Sequence, residues 1–590
     1  MDKAEVAAVL EEIAVLLELQ GENPFRAGAY SKAGRTIAQL ETNVEDLVAA
    51  DTLDQVPGIG ETLRDKITTL VTTGKLPFYE ELKAKTPPGL LQMLRLPGMG
   101  PKKIKALYDQ LGIDDLPKLK AGCENGAVAK LKGFGEKTQK NILDGLAFLD
   151  QVGNRVRLDQ AMLIAEAVIA ELKKLPGIHR LEVCGSVRRR KETIRDIDIL
   201  VSADDAGPIM DAFVKLPNVQ KVIGHGETKS SVLLAGIDHH TTRILINADL
   251  RVVSAQQFPF ALNYFTGSKE HNIRLRQRAI DYGYKLNEYD LAGCKKKIAD
   301  EPDIYKALDL EYVPPELRED TGEIDAAANN KLPDLLEPKD IHGVFHNHTT
   351  WSDGSASLAQ MADAARALGY DYLGIADHSQ SLTVANGLSP ERVRQQQKEM
   401  DAFNAKHAPL ATRGRGAGGE GIRIFKGIEC DILQDGSLDY TDDVLDTFDY
   451  VVASVHSYFN QTQEEMTARI IKAIQHPRVT MLGHATGRLL LKRDAYKVDL
   501  DAVLHAAAKA GTMIEINANP YRLDLDWIHC KRAKSLGVML VINPDAHAPE
   551  ELAFTRFGVD VARRGWLEKA DVFNTRTLAQ VAQEFERRKK

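Results

Sequence analysis

Two groups of residues in this sequence have the types and spacing to do chemistry. The first is a set of aspartates. In GSVRRRKETIRDIDILV, Gly185 to Val201, an apolar run (LEVC) enters Gly-Ser and the chain then passes into DIDIL. Backbone N–H groups at such a turn, together with Ser186 and Arg189, make an anion site suited to a triphosphate. Strand alternation puts Asp196 and Asp198 on one face while Ile197 and Ile199 face a core. Two carboxylates beside an anion site repel each other unless cations lie between them, which is a Mg2+ arrangement. Asp249, in ADLRVV, offers a third carboxylate from another β-like run. Three aspartates can hold two ions, which activate an attacking hydroxyl and stabilise a leaving pyrophosphate.

The second group is dispersed: His346 and His348 (HNH), Asp353, His378 (ADH), Glu429 (GIECD), His456 (SVH), His484 (LGH), and Asp545 with His547 (DAH). A single buried histidine is more often a satisfied core residue than a ligand. A set at or just past the ends of successive apolar runs is not explained that way. Mixed imidazole and carboxylate donors suit Zn2+, Mn2+ or Fe2+ better than an all-oxygen Mg2+ site. Such a cluster activates water and offsets the charge on a phosphoester. Arg488, just past His484, reads either as a phosphate clamp or as a surface salt bridge.

The elements that must position these residues fall into distinct stretches. Residues 1–150 read as helices separated by glycine turns of one pattern: VPGIG (Gly58, Gly60), LPGMG (Gly98, Gly100) and LKGFG (Gly133, Gly135). A GxG turn that opens a helix exposes backbone amides able to take a DNA phosphate without reading bases. Residues 151–256 mix a helical pattern with short β-rich runs, and 257–317 are mainly helical. The polar, acidic stretch from Arg318 to Pro338, bounded by prolines, reads as an interdomain linker over 318–339. From 340 to 590, seven apolar runs recur with helical patterns between most of them, which implies a parallel β/α barrel with its chemistry at the strands' C-terminal ends. The Arg/Gly segment Ala411 to Gly421 reads as a flexible surface loop.

Composition sets the outer limits. The 590 residues are too many for one core and suggest roughly three to four domains. With 44% hydrophobic and 27% charged residues, the chain is of ordinary globular composition. It shows no signal peptide and no apolar run near the roughly 18 residues needed to span a bilayer. The five cysteines, Cys123, Cys184, Cys294, Cys430 and Cys530, lie far apart, which fits a reducing cytoplasm. Net charge is −8, so bulk charge does not make the chain a polyanion binder, and local basic surfaces must do so.

GSVRRRKETIRDIDILV followed by ALNYFTGSKEHNIRLRQRA resembles the palm and thumb signature of the family X DNA polymerases of the β type. By that resemblance Asp196, Asp198 and Asp249 are catalytic ligands of Mg2+ (or Mn2+), with Arg251 orienting Asp249. Ser186 and Arg189 contact the triphosphate. Tyr264, Phe265 and Gly267 pack on the incoming sugar, and Asn272 and Arg276 lie near the nascent pair. The family usually has glycine where this chain has Arg195. The three turns resemble helix-hairpin-helix DNA-binding repeats. Lys66 matches a lysine that forms a Schiff base with a 5′ sugar-phosphate, with Tyr30 and Arg26 in its phosphate pocket. Thr62 stands where a basic residue is usual, and on its helix alone Lys66 reads as solvated.

The C-terminal ligand set resembles the polymerase and histidinol phosphatase (PHP) family, with all nine ligand positions filled. The resemblance implies three divalent ions, Zn2+ or Mn2+. His346, His348, Glu429 and Asp545 would hold the first, and Glu429 would bridge to a second on His456 and His484. Asp353, His378 and His547 would hold the third. The implied fold is multidomain α+β and α/β. A helical lyase-like domain (1–83) is followed by fingers with helix-hairpin-helix motifs (84–150), a nucleotidyltransferase palm (151–256), a thumb (257–317) and a distorted seven-repeat, TIM-like β/α barrel (340–590). The implied protein is a cytoplasmic, monomeric repair polymerase acting on gapped or nicked DNA with dNTPs. The resemblance implies that its PHP domain is a 3′–5′ exonuclease, with abasic-site endonuclease activity as a further option. The alternatives are a histidinol-phosphatase-type enzyme with a DNA-binding appendage, and a scaffold at DNA ends.

Overall fold

The computed structural model describes residues 3–38, 40, 43–94, 96, 98–153, 155–237, 243–407 and 421–589. Apart from Gly421, the segment read as a flexible loop lies outside them. The chain begins with helices Lys3–Gln20, Pro24–Ala38 and Glu61–Thr73, packed through Val6, Leu10, Ile13, Leu17, Ile37 and Ile67. A second helical core holds Ile104, Leu107, Leu119 and Ile142. Its last helix, Gly135–Val152, runs across the boundary expected at residue 150.

The glycine turns show why their pattern repeats. Ile59, Met99 and Phe134 are buried and anchor each turn, while the glycines on either side are exposed. Gly58, Gly98 and Gly133 have φ of +89°, +74° and +92°, a backbone that a side chain rarely adopts. Gly60 and Gly100 are extended residues that cap the helices Glu61–Thr73 and Pro101–Leu111. The third turn departs from the other two, because Gly135 itself has φ +66° and begins its helix.

The next unit is a five-stranded sheet in the order Ile178–Val183, Asp196–Ala203, Arg243–Val253, Lys229–Ile237, Val219–His225. All its pairs are antiparallel except Asp196–Ala203 with Arg243–Val253. That parallel register sets Asp198 opposite Asp249.

The stretch read as a linker is folded instead. It contains the helix Glu323–Ala328, and Arg318 and Glu323 are fully buried. Arg318 donates to Glu301 at 2.6 Å, and Glu323 is 2.7 Å from His271. Charge in this stretch marks buried ion pairing with the preceding helices rather than solvent exposure.

Seven parallel strands then follow one another in sequence order, from Gly343–Val344 to Leu540–Asn543. A bridge between Asn347 and Ala546 brings the first and last together, so the barrel is nearly closed. One aromatic cluster, Phe345, Tyr372, Phe425, Tyr450, Phe573 and Phe585, packs in its core. His378, His456, His484 and Asp545 follow two or three residues after their strands end.

Candidate active sites

The loop Gly185–Arg188 is a single helical turn tied to the aspartate strand by a 2.8 Å bond from Cys184 N to Asp198 O. Gly185 has φ +60°, and a Cβ there would overlap Asp198 Oδ2. Only glycine lets the anion loop lie this close to a carboxylate. Asp196, Asp198, Ser186, Arg189, Tyr264, Phe265, Gly267, Asn272 and Arg276 all line one open cleft of about 370 Å³, with Gly185, Thr266 and Lys269. Asn272 donates to the Tyr264 carbonyl at 2.8 Å and Arg189 to the Thr266 carbonyl at 2.5 Å, which tie the Tyr264–Gly267 segment to both neighbouring elements. Burial, and then the charges of Asp196 and Asp249, push the Asp198 carboxyl up to about 6. Three carboxylates crowded in this way call for cations.

One expected contact is corrected. Arg251 does not bond Asp249; its guanidinium lies 4.4 Å from the centre of the Phe265 ring. Asp249 instead accepts from Ser231 Oγ at 2.6 Å and pairs with Lys229 Nζ at 2.7 Å, both from the adjacent antiparallel strand. Arg195 is exposed and is absent from the positive-φ residues, so it takes up no backbone that requires glycine.

Lys66 is not a freely solvated lysine. Its Nζ donates to Tyr30 Oη at 2.5 Å and lies 3.7 Å from the centre of the Phe78 ring. Arg26 stacks on the same ring at 5.4 Å and pairs with Glu22. Thr62 is exposed.

In the barrel the nine ligand residues converge. Four overlapping groups have donor atoms within 4.8 Å of one another: His348, Asp353, His378 and His547; His346, Glu429 and His484; His346, His348 and Asp545; and His378, Glu429 and His456. The grouping differs from the expected one, since His456 and His484 reach Glu429 in separate groups and His378 joins both Glu429 and Asp353. Buried donor atoms His346 Nε2, His348 Nδ1 and Nε2, His378 Nδ1, Glu429 Oε2 and His484 Nδ1 have no hydrogen-bond partner among the described residues. Buried polar atoms are nearly always satisfied, so this convergence of orphaned nitrogen and oxygen donors fits metal ions. His346, His484 and Asp545 have φ of +54°, +22° and +52°, and non-glycine residues hold such a backbone only where the surroundings over-determine it.

The electrostatics agree with a demand for positive charge. Burial disfavours the imidazolium of His378, but Glu429 and Asp353 outweigh it and push its pKa up to about 10. His456 and His547 rise to about 9 against the same burial, His456 through Glu429 and Asp431 and His547 through Asp353 and Asp545. His348, buried and facing His547 and His378, is pushed down to about 3.

Several functional residues escaped the sequence reading. Glu515 is fully buried, 2.6 Å from His346 Nδ1, and accepts from His484 N at 2.7 Å and Asn543 Nδ2 at 2.9 Å. Asp431 holds His456 Nδ1 at 2.5 Å. In both cases the carboxylate takes one ring nitrogen and leaves Nε2 for the cluster. A carboxylate inside an apolar run, as in TMIEINAN, was the available signal. Arg522 Nε lies 3.5 Å from Asp545 Oδ2 at the rim of the cluster. Arg488 does not serve as the clamp; it donates to the carbonyls of Arg522 and Leu523 and to Glu192 of the sheet domain at 3.1 Å.

Family profiles match in four places: a helix-hairpin-helix domain over residues 1–76, a SAM-like helix-hairpin-helix tandem over 90–147, the DNA polymerase beta thumb over 261–319 and the PHP domain over 345–519. The DNA polymerase/3′–5′ exonuclease PolX of Bacillus subtilis is 40% identical over 585 residues, 98% of this chain and 99% of that protein. DNA polymerase lambda of Arabidopsis thaliana is 27% identical over 45% of this chain and 50% of its own length. A probable phosphatase of Thermoanaerobacter sp. is 29% identical over 26% of this chain and 65% of its own.

Proposed function

Because the chain belongs to the PolX family of DNA polymerase/3′–5′ exonucleases, and so acts on DNA with dNTPs, we propose which residues carry each activity. In the polymerase, Asp196, Asp198 and Asp249 would hold two Mg2+ (or Mn2+) ions. When bound, these supply charge neutralisation at the triphosphate and activation of the primer hydroxyl. Lys229 balances the charge of Asp249, which would otherwise fall to a bound ion. Ser186, Arg189 and the loop amides bind the triphosphate, while Tyr264, Phe265 and Gly267 pack on its sugar. Asn272 and Arg276 face the nascent pair. The exposed turns at Gly58, Gly60, Gly98, Gly100, Gly133 and Gly135 hold DNA phosphates. Lys66, boxed by Tyr30 and Phe78, is the group to attack a 5′ sugar-phosphate.

In the exonuclease, the nine barrel ligands would hold three divalent ions, Zn2+ or Mn2+, which supply water activation and charge neutralisation at the phosphodiester. Glu515 and Asp431 hold the imidazoles, and Arg522 is placed to take a phosphate oxygen of the end being trimmed. The DNA favoured is gapped or nicked, the protein works as a monomer, and its free cysteines suit the cytoplasm. Among the described residues no helix is long and apolar enough to cross a membrane. The small-molecule phosphatase alternative matches a relative over only 26% of this chain, against 98% for the polymerase/exonuclease.

The observation that carries the polymerase assignment is the parallel register of Asp198 with Asp249 beside the cleft lined by Ser186 and Arg189. A labelled one-nucleotide gap, with and without dNTPs, in Mg2+ and then Mn2+, tests the whole scheme. Asp198→Ala is expected to lose gap filling and keep trimming, and Asp545→Ala the reverse. Loss of trimming in a folded Asp198→Ala protein would show that the sites are not independent.

A further inference from the structure

The loop that carries the polymerase's anion site is gripped from the exonuclease domain. Arg564 Nη1 donates to the Arg189 carbonyl oxygen at 2.7 Å, Arg190 Nε stands 3.6 Å from Asp560, and Glu192 accepts from Arg488 at 3.1 Å. Arg190 has φ +58°, a backbone that needs such external support in a residue with a side chain. The side chains meet at Glu319. Its Oε1 lies 3.1 Å from Arg189 Nε and 3.2 Å from Arg564 Nη1, and its Oε2 lies 3.9 Å from Lys191 Nζ. Arg564 is 1% exposed and packs over Trp527, so it is locked in place. Burial works against the Glu319 carboxylate, yet Arg564, Arg189 and Lys191 hold its pKa below the ordinary value.

We propose that Arg564, from the exonuclease barrel, is a positioning residue for the polymerase: it holds Glu319 and the Arg189 carbonyl so that Arg189 stays in the cleft with its charge available to the triphosphate. The proposal rests on the assignment of Arg189 to triphosphate binding made above. Arg564 and Lys191 offset part of the Glu319 charge that would otherwise act on Arg189 alone. Without Arg564, Glu319 closes on Arg189 and the loop loses a hydrogen-bond donor. The loss falls on nucleotide binding, hence on KM.

In the full-length protein, Arg564→Gln is expected to raise the dNTP KM about tenfold, with kcat and trimming of single-stranded DNA each within about twofold of wild type. Arg564→Lys, which keeps the charge but not the fork, is expected to fall between. Adding Glu319→Gln to Arg564→Gln is expected to lower KM again, because a neutral partner no longer competes for Arg189. A merely structural role would instead make the two losses add, and that result overturns the proposal. Arg189→Ala separates the two layers. If it leaves the dNTP KM unchanged, the Arg189 assignment fails and the proposal with it. If it raises KM while neither Arg564 variant does, the coupling alone is wrong. Parallel loss of polymerisation and trimming in both Arg564 variants also overturns it.

Discussion

Gly185 and Arg195 flank the same anion loop and carry opposite constraints. Gly185 combines φ +60° with a Cβ direction blocked by Asp198. Gly185→Ala is therefore expected to cost roughly 1–2 kcal/mol of backbone strain and displace the Asp198 carboxylate, lowering gap-filling kcat/KM about a hundredfold. Trimming by the barrel should not change, and primer extension beside a trimming assay checks both. Arg195 occupies no left-handed backbone, so Arg195→Gly is expected to alter dNTP kcat/KM by less than about tenfold, or about 1.4 kcal/mol. An inactive wild type rescued by Arg195→Gly would contradict that. In the barrel, Glu515 fixes His346 and the His484 backbone at once. Glu515→Gln is expected to raise the Mn2+ concentration for half-maximal trimming by about 10- to 100-fold and leave gap filling alone. An unmoved metal titration would remove Glu515 from the site.

At the scale of elements, the helix Thr555–Arg564 faces two domains, and Asp560 on it shows the cost of that position. Burial, only partly relieved by Arg190, pushes the Asp560 carboxyl up to about 6, from 3.8 for an unperturbed aspartate. Because the folded pKa is raised, the stability attached to this group is fully present below about pH 4. It is lost as pH rises through about 6, to a total of up to about 3 kcal/mol. Asp560→Asn imitates the protonated carboxyl. It is expected to raise the melting temperature at pH 8, with the gain shrinking as pH falls toward 4. A gain of equal size at both pH values would show that Asp560 ionises in the ordinary range.

For the whole molecule the question is how a chain of net charge −8 holds DNA. Many of its charges are consumed internally: Arg563 with Glu316, Arg488 with Glu192 and Arg564 with Glu319 tie the barrel to the polymerase half. Binding must then come from exposed groups such as Gly98, Gly100 and Lys102 at the second turn. Affinity for gapped DNA is expected to fall steeply with salt, and Lys102→Gln is expected to reduce the slope of log affinity against log salt by about one. A slope unchanged by this substitution would take the second turn off the DNA path.

That Asp196 and Asp198 line one cleft, and that nine His, Asp and Glu side chains converge at the barrel, was legible because strand alternation and strand ends are local properties, readable from a few neighbouring residues. The same holds for the turns: Ile59, Met99 and Phe134 between glycines declare a buried anchor and a special backbone within five residues. Lys229, Arg522 and Glu319 gave no such signal, since in sequence each is one more charge in a strand or a polar stretch, and Glu515, a carboxylate inside the apolar run TMIEINAN, stood out without its partner being readable. Their roles arise from partners brought near by folding: Glu515 meets His346 169 residues away, and Arg564 meets Glu319 245 residues away. The stretch from Arg318 to Pro338 read as a linker for the same reason. Charge in a sequence reports on solvent unless the fold supplies a buried counter-charge, and whether it does so is decided only by tertiary contact.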